Sequence, residues 1–406
     1  MRRRRLRALT LGALLASTLL TACGGDPAAD PAPTAASSPS ASPSDEPSES
    51  SGSAAPAGAP QPIVQGARLL DARTGQPWIP HGVSWSGFEY SCAQGRGSSP
   101  MDALGSGAED AEAAALASWR IDVVRLPLNL DCWLGTQGAP VGPGATAPGY
   151  RDAVRAFVTA LHAQGMAVIL DLHSRKRFQE DEFGNPPMPD ADALTFWDSV
   201  AAEYATDPSV MFDAWNEPYA RYDERTGTYP AQLTWACWAQ GGCPAYGEDD
   251  RVPLDDGGPY QATGMRALVG AIRDAGAPQP ILLGGLDYAN DLREWVRWAP
   301  DDPSLVAALH TYPDKRCASA ACFDRELLPV LRTRPVLISE VGDGDSSARH
   351  VRSVSQWAAA HDVGWLAWAW EADPDNAFSL VTADRRTPSR PYGERVRALL
   401  EAAAAD

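Results

Sequence analysis

The 406-residue sequence predicts an α/β fold closed as a (β/α)8 TIM barrel, a single domain preceded by a signal peptide and a disordered linker. Three observations carry this. Eight short apolar runs alternate with helix-like stretches from Ile79 onward. The runs are apolar throughout, as in a parallel sheet covered on both faces, rather than alternating as in a sheet wetted on one side. Polar residues gather at the C-terminal ends of most of the runs, and that is where a barrel of this kind holds its site.

Residues 1–23 read as an export signal. A basic start, "MRRRRLR", precedes the apolar "ALTLGALLASTLL", which is too short for a spanning helix of about 20 residues. The segment ends in Leu20-Thr21-Ala22-Cys23, which resembles the lipobox of bacterial lipoproteins and implies lipidation at Cys23. Residues 24–62 are Ser, Pro, Ala and acidic residues with almost no large apolar side chain. Such a stretch cannot bury enough surface to offset its ordering entropy, so it reads as a flexible tether. Residues 63–406 form the folded part, with "ARLLDARTGQPW" expected as a hairpin turning at Thr74-Gly75 and covering the bottom of the barrel.

The expected strands are 79–85, 121–128, 166–173, 210–217, 280–286, 305–312, 335–342 and 363–370. Helical patterns fall between them at 111–119, 150–164, 191–204, 260–275, 324–332 and 346–361, and a last one, 390–404, closes the chain. A doubly wound sheet would want a Gly-rich phosphate turn after the first strand, and Trp85-Ser86-Gly87-Phe88 is not one.

The formal charge of −18, with no basic stripe outside the signal, excludes a nucleic-acid partner. Six cysteines follow Cys23, an even number in an exported chain, which points to disulfides. Cys237 with Cys243 and Cys317 with Cys322 are close enough to be loop staples, which would leave Cys92 with Cys132, one of the 15 connectivities that six cysteines allow. No CxxC pair supports zinc. Membrane contact is expected through the lipid anchor alone, and a monomer on the outer face of the cell membrane, or secreted, is the expectation.

The strand ends carry the chemistry. The second strand carries Arg125, the third His173, the fourth Asn216-Glu217, the sixth His310 and Tyr312, the seventh Glu340 and the eighth Trp370. Glycoside hydrolysis needs two carboxylates flanking the sugar bond, one protonated and one ionised. Asn216-Glu217-Pro218 and Ser339-Glu340, with Arg125, His173, His310-x-Tyr312 and Trp370 in order on successive strands, resemble glycoside hydrolase family 5. The resemblance runs from "GVSWSGFEY" to "TPSRPYG". It implies Glu217 as acid/base and Glu340 as nucleophile of a retaining, cellulase-like enzyme without cofactor or metal. It further implies that Arg125 and Tyr312 attend Glu340, that Asn216 holds the sugar 2-hydroxyl, that His173 and His310 orient substrate and acid, and that Trp370 offers its face to a sugar ring.

Taken singly, each of these residues has a plainer reading: a buried ion pair, satisfied core histidines, packing aromatics. Zinc at His173, His310 and Asp171 is disfavoured by Arg125 in the same mouth, and no GxSxG elbow suggests a serine hydrolase. Ser174 stands where related enzymes often carry an aromatic, and a run of charges follows it. That departure bears on the substrate, expected to be a β-1,4-glucan, with β-mannan, β-1,3-glucan or a glycoconjugate as alternatives. Trp133, Trp235 and Trp238 are candidate rim platforms for sugar. The rival of a different class is a non-catalytic carbohydrate-binding surface lipoprotein, which has no need of both glutamates.

Overall fold

Three short antiparallel strands, Pro62–Gln65, Arg68–Asp71 and Gln76–Pro77, open the described part of the chain. The turns between them use Gly66 and Gly75, both with φ above +60°, where a side chain would be strained. The hairpin at Thr74-Gly75 is as expected. The first strand is an addition to that reading, and Ala59 and Pro60 just before it are already buried. The computed structural model describes residues 58–176, 183–220, 222, 227–229, 231–246 and 259–405. The expected export signal with Cys23, the expected tether up to residue 57, the charged loop 177–182 and the acidic run 248–258 lie outside the described residues.

Eight strands then close into a barrel: β1 (His81–Ser84), β2 (Val123–Asn129), β3 (Ala167–Lys176), β4 (Val210–Asp213), β5 (Ile281–Gly284), β6 (Leu305–Thr311), β7 (Val336–Val341) and β8 (Gly364–Ala367). Every neighbouring pair is parallel, and the ring closes because β8 pairs with β1. Among the described residues seven helices of ten residues or more alternate with them: α1 (Ala108–Ala117), α2 (Ala147–Ala163), α3 (Asp192–Tyr204), α4 (Met265–Asp274), α5 (Ala320–Val330), α6 (Arg349–Ala359) and α7 (Tyr392–Ala403). The longest, α2, starts where the Thr146 side chain accepts from Gly149 N. It buries Tyr150, Val154, Phe157 and Leu161 on one stripe, at the spacing of a helix lying on a sheet. Between β5 and β6 the described chain makes only short turns, Leu286–Ala289 and Trp295–Trp298, which leaves that side of the mouth to loops.

The alternation along each strand decides what enters the barrel. Low in the barrel the inward positions are apolar: Val123, Ile169, Met211, Leu282, Val306, Leu337 and Leu366 form one cluster. Leu69 and Trp78 of the N-terminal sheet join that cluster and plug the bottom. Higher up, the same parity delivers Arg125 on β2, Asp171 and His173 on β3, Asp213 on β4 and His310 on β6. The outward positions pack beneath the helices in the larger core.

The tops of the first three strands are bound together. Cys92 and Cys132 are disulfide-linked, with Cα atoms 6.2 Å apart. Asn129 Nδ2 donates to Glu89 O and to Ser174 Oγ, and Ser174 Oγ donates to Glu89 O. Ser174 therefore serves as a buried tie between loops. Cys237–Cys243 and Cys317–Cys322 are the other two bridges. Among the described residues no helix is long and apolar enough to cross a membrane.

Candidate active site

Arg125 is the centre of the mouth. It is fully buried on β2, and its guanidinium is divided among four side chains. Nε donates to Asp213 Oδ2 at 2.9 Å, Nη1 to Glu340 Oε1 at 2.6 Å, and Nη2 to Asn216 Oδ1 at 2.9 Å and to Asp171 Oδ2 at 3.0 Å. One planar fork thus fixes residues from β3, β4 and β7 relative to one another, as only arginine can. The surrounding carboxylates push its own proton affinity further up, against the effect of burial.

Glu340 accepts from a cation on one oxygen and from a phenol on the other. Tyr312 O–H donates to Glu340 Oε2 at 2.8 Å, and burial together with that carboxylate keeps the phenol protonated far above its usual range. Glu217 sits differently. Among the described residues no arginine pairs with it, and its Oε1 shares a 2.9 Å hydrogen bond with His310 Nδ1. Its side chain keeps 20% exposure against 4% for Glu340, so it is the carboxyl that a ligand in the mouth meets first. Burial raises its pKa to about 7, in spite of the nearby His173, Lys315 and Arg125. His310 is pressed down to about 4, chiefly by burial, and is neutral at pH 7.

The two glutamates converge. His310 Nδ1 lies 2.9 Å from Glu217 and 3.6 Å from Glu340 Oε2, and an oxygen of each glutamate lies within 4.8 Å of the other. His310 and Glu340 are direct partners in the β6–β7 register. His173 Nδ1 donates to Asp171 Oδ2 at 2.7 Å. The charge and hydrogen bond of Asp171 outweigh burial and raise the histidine above its ordinary value. Asn216 Nδ2 faces His173 Nε2 at 3.4 Å. Two carboxyls at this spacing, one in an ionic cage and one holding its proton near neutrality, can attack a carbon and protonate an oxygen in the same step.

Residues 81–374 match the family model described as "Cellulase (glycosyl hydrolase family 5)". The chain belongs to glycosyl hydrolase family 5. It is thus a glycoside hydrolase. The catalytic domain of an endoglucanase from Thermobifida fusca is similar in fold, at 17% identity and TM-score 0.57 over 84% of this chain and 97% of that one. So is a β-glucanase from Saccharophagus degradans solved with cellotetraose, at 18% identity and TM-score 0.60, covering 85% and 94%. A β-mannanase from Thermomonospora fusca is similar at 17% identity and TM-score 0.56, covering 86% and 97%.

Two aromatic expectations for this family-5 site need correction. Trp370 does not face the mouth. It lies beyond the end of β8 and is fully buried; its Nε1 donates to Glu112 Oε2 at 3.0 Å and its ring meets Trp119 edge-on. The indole at the mouth is Trp368, one residue past β8 on the inward parity of Leu366, stacked on His173 with centroids 5.6 Å apart and planes 9° from parallel. Trp133 is no rim platform either. It is fully buried, donates to Ser199 Oγ and packs on Tyr150 and Phe196. Trp238 is likewise buried, donating to Gly284 O, while Trp235 is partly exposed against it.

Nothing in the sequence singles out Asp213, and Asp171 reads there only as a candidate metal ligand. Both sit on the inward parity just below the polar tips, next to each other in the β3–β4 register, and an arginine in that ring needs such partners. Burial and the neighbouring acids Asp171 and Glu340 push the Asp213 carboxyl up even though Arg125 holds it. Glu89 is a second buried acid, raised to about 7 by burial, with Ser86 Oγ and Gly87 N donating to it. Arg175, near the end of β3 before the charged loop, pairs with Asp131, Asp190 and Asp192.

Proposed function

We propose that this family-5 hydrolase cleaves β-1,4-linked glucan with retention, Glu340 as nucleophile and Glu217 as acid/base. The observation that carries this is the paired glutamates bridged by His310, oxygens within 4.8 Å, in opposite environments. Retaining enzymes hold their carboxyls about 5–5.5 Å apart, whereas inverting enzymes leave room for a water between them. In the first step a Glu340 oxygen bonds to the anomeric carbon, the bond to the leaving oxygen breaks, and the Glu217 proton moves to that oxygen. In the second step Glu217 takes a proton from water, the water oxygen bonds to the anomeric carbon and the Glu340 ester breaks. Arg125 and Tyr312 hold the nucleophile's two oxygens. Asn216, fixed by Arg125, is the group assigned to the sugar 2-hydroxyl. His310 aligns the acid, and Trp368 with His173 forms the wall for the sugar ring.

Glucan is favoured by the cellotetraose-bound β-glucanase and the endoglucanase of similar fold; the β-mannanase makes mannan the second reading. The deciding experiment runs soluble cellulose, mannan and their aryl β-glycosides with the parent, Glu340→Gln and Glu217→Gln, and follows the first-formed anomer by NMR. Turnover in the parent with the β-anomer formed first, and its loss in both variants, is expected. The α-anomer first overturns retention. Sugar binding without hydrolysis in the parent overturns the enzymatic reading in favour of a carbohydrate-binding lipoprotein.

The export signal and tether extend the proposal: the enzyme works outside the membrane, held by lipid at Cys23. Fatty-acid labelling that survives Cys23→Ser would refute this anchoring.

A further inference from the structure

Just after β5 the backbone takes an unusual course. Asp287, Tyr288 and Ala289 all lie in the left-handed region, with φ of 56°, 59° and 56°, and none is glycine. Such conformations persist where the surroundings over-determine them, and they cluster where ligands are held. The surroundings here point to the acid/base side of the mouth. Tyr288 N donates to the carbonyl of Pro218, the residue after Glu217, at 3.0 Å. The Tyr288 ring lies flat on Tyr219, with centroids 4.5 Å apart and planes 9° from parallel. Lys315 Nζ, from the loop after β6, rests 4.6 Å from the Tyr288 ring centre, within cation–π range.

Both loops are pinned. Asn290 donates to His310 O and Cys317 O and accepts from Cys317 N, and Cys317 is bridged to Cys322. Arg316 donates to Asn290 O and pairs with Glu326. Among the described residues Lys315 has no carboxylate partner in an ion pair, so an aromatic ring, and not an acid, sets where its ammonium stands.

We propose that Lys315, seated on the Tyr219–Tyr288 stack, forms the wall of the leaving-group subsite and donates hydrogen bonds to hydroxyls of the departing sugar. This rests on the reading of Glu217 as the acid, which places the departing sugar on Glu217's side of the mouth. An ammonium has three donors on a rotatable stem and suits several hydroxyl positions. A stem already ordered against a ring loses less freedom when the sugar arrives. The proximity of Lys315 also shows in Glu217: burial raises that carboxyl, while the nearby His173, Lys315 and Arg125 hold the rise back. Asp171, Glu340, His310 and Tyr312 are the other titratable groups around it.

The test compares two substrates in the full-length protein, cellotetraose and 4-nitrophenyl β-cellobioside, or the manno-configured pair if the parent prefers mannan. Only the oligosaccharide places a sugar on the leaving-group side. Lys315→Met is expected to lower kcat/KM on the oligosaccharide by about tenfold or more, the effect of losing a charged donor, and to leave the aryl glycoside within about twofold. Lys315→Arg should restore most of the loss, and Tyr288→Leu should reproduce it. Equal losses on both substrates, no loss on either, or a shift of the basic pH limb with an unchanged plateau would overturn the subsite. A parent inactive on both substrates would instead count against the proposed function itself, and with it the subsite.

Discussion

Replacing Arg125 by methionine removes one charge from the middle of three acids without opening much space. The parent guanidinium reaches Asp213, Glu340, Asn216 and Asp171, all between 2.6 and 3.0 Å, with no exposure of its own. Stripping a buried pair of one partner costs about 3–5 kcal/mol, because the other charge is left uncompensated. That is a large share of a total stability of about 5–15 kcal/mol. The loss must also depend on pH. Asp213 already has its proton affinity raised in the folded parent, and without Arg125 the surrounding carboxyls hold protons more tightly still. The folded variant then binds more protons than the folded parent, while the two unfolded chains, with carboxyls ionised above about pH 5, bind the same number. Its deficit relative to the parent therefore grows as pH rises, by about 1.4 kcal/mol per pH unit for each proton bound beyond those of the parent. A deficit of about 4 kcal/mol at pH 8 should shrink to about 1–2 kcal/mol at pH 6. Urea unfolding followed by tryptophan fluorescence, disulfides intact, measures this at both pH values. A deficit below about 1 kcal/mol, or one equal at pH 6 and 8, would refute the account of Arg125 as the neutraliser of that ring.

Three further outcomes follow from the same geometry. With Glu217 raised to about 7 and needed protonated, kcat/KM on unactivated substrate should decline as pH climbs through about 7; a profile flat to pH 9 would contradict Glu217 as acid. Tyr312→Phe removes the hydrogen bond to Glu340 Oε2, and kcat/KM should fall by about 10- to 100-fold, the range for a bond to a charged group, with thermal stability near that of the parent. The two indoles should separate cleanly. Trp370→Ala hollows the core and costs about 3–5 kcal/mol, while Trp368→Ala should lower sugar affinity with a smaller change in Tm; the reverse pattern would restore Trp370 to the mouth.

The barrel was legible because its evidence is local. A strand covered on both faces must be apolar, and the polar tips of such strands mark one end of the ring. Arg125, His173, Glu217, His310, Tyr312 and Glu340 could be picked out for that reason, each being a polar residue at the end of an apolar run. The acids around Arg125 were harder to see. Asp171 lies inside β3 and Asp213 closes β4, both below the polar tips, where sequence alone offers no reason to prefer an inward charge until the arginine opposite is known. The aromatic at the mouth was misplaced by two residues. "GWLAWAW" offers Trp365, Trp368 and Trp370, and choosing among them requires knowing where the strand stops. The structure ends β8 at Ala367 and sends the chain into the core, where Glu112 on α1 receives the indole of Trp370.

By itself, the sequence determined the parallel barrel, the end at which it would act and the two glutamates, since alternation and strand-end polarity are properties of neighbours along the chain. Only the tertiary structure decided how far apart those glutamates stand, which indole stacks on His173 and which cation sits on the Tyr288 ring. Those depend on strand stagger and loop packing between residues as near in sequence as Tyr288 and Lys315 and as far as His173 and Trp368, where a single side-chain geometry is fixed by many weak contacts at once.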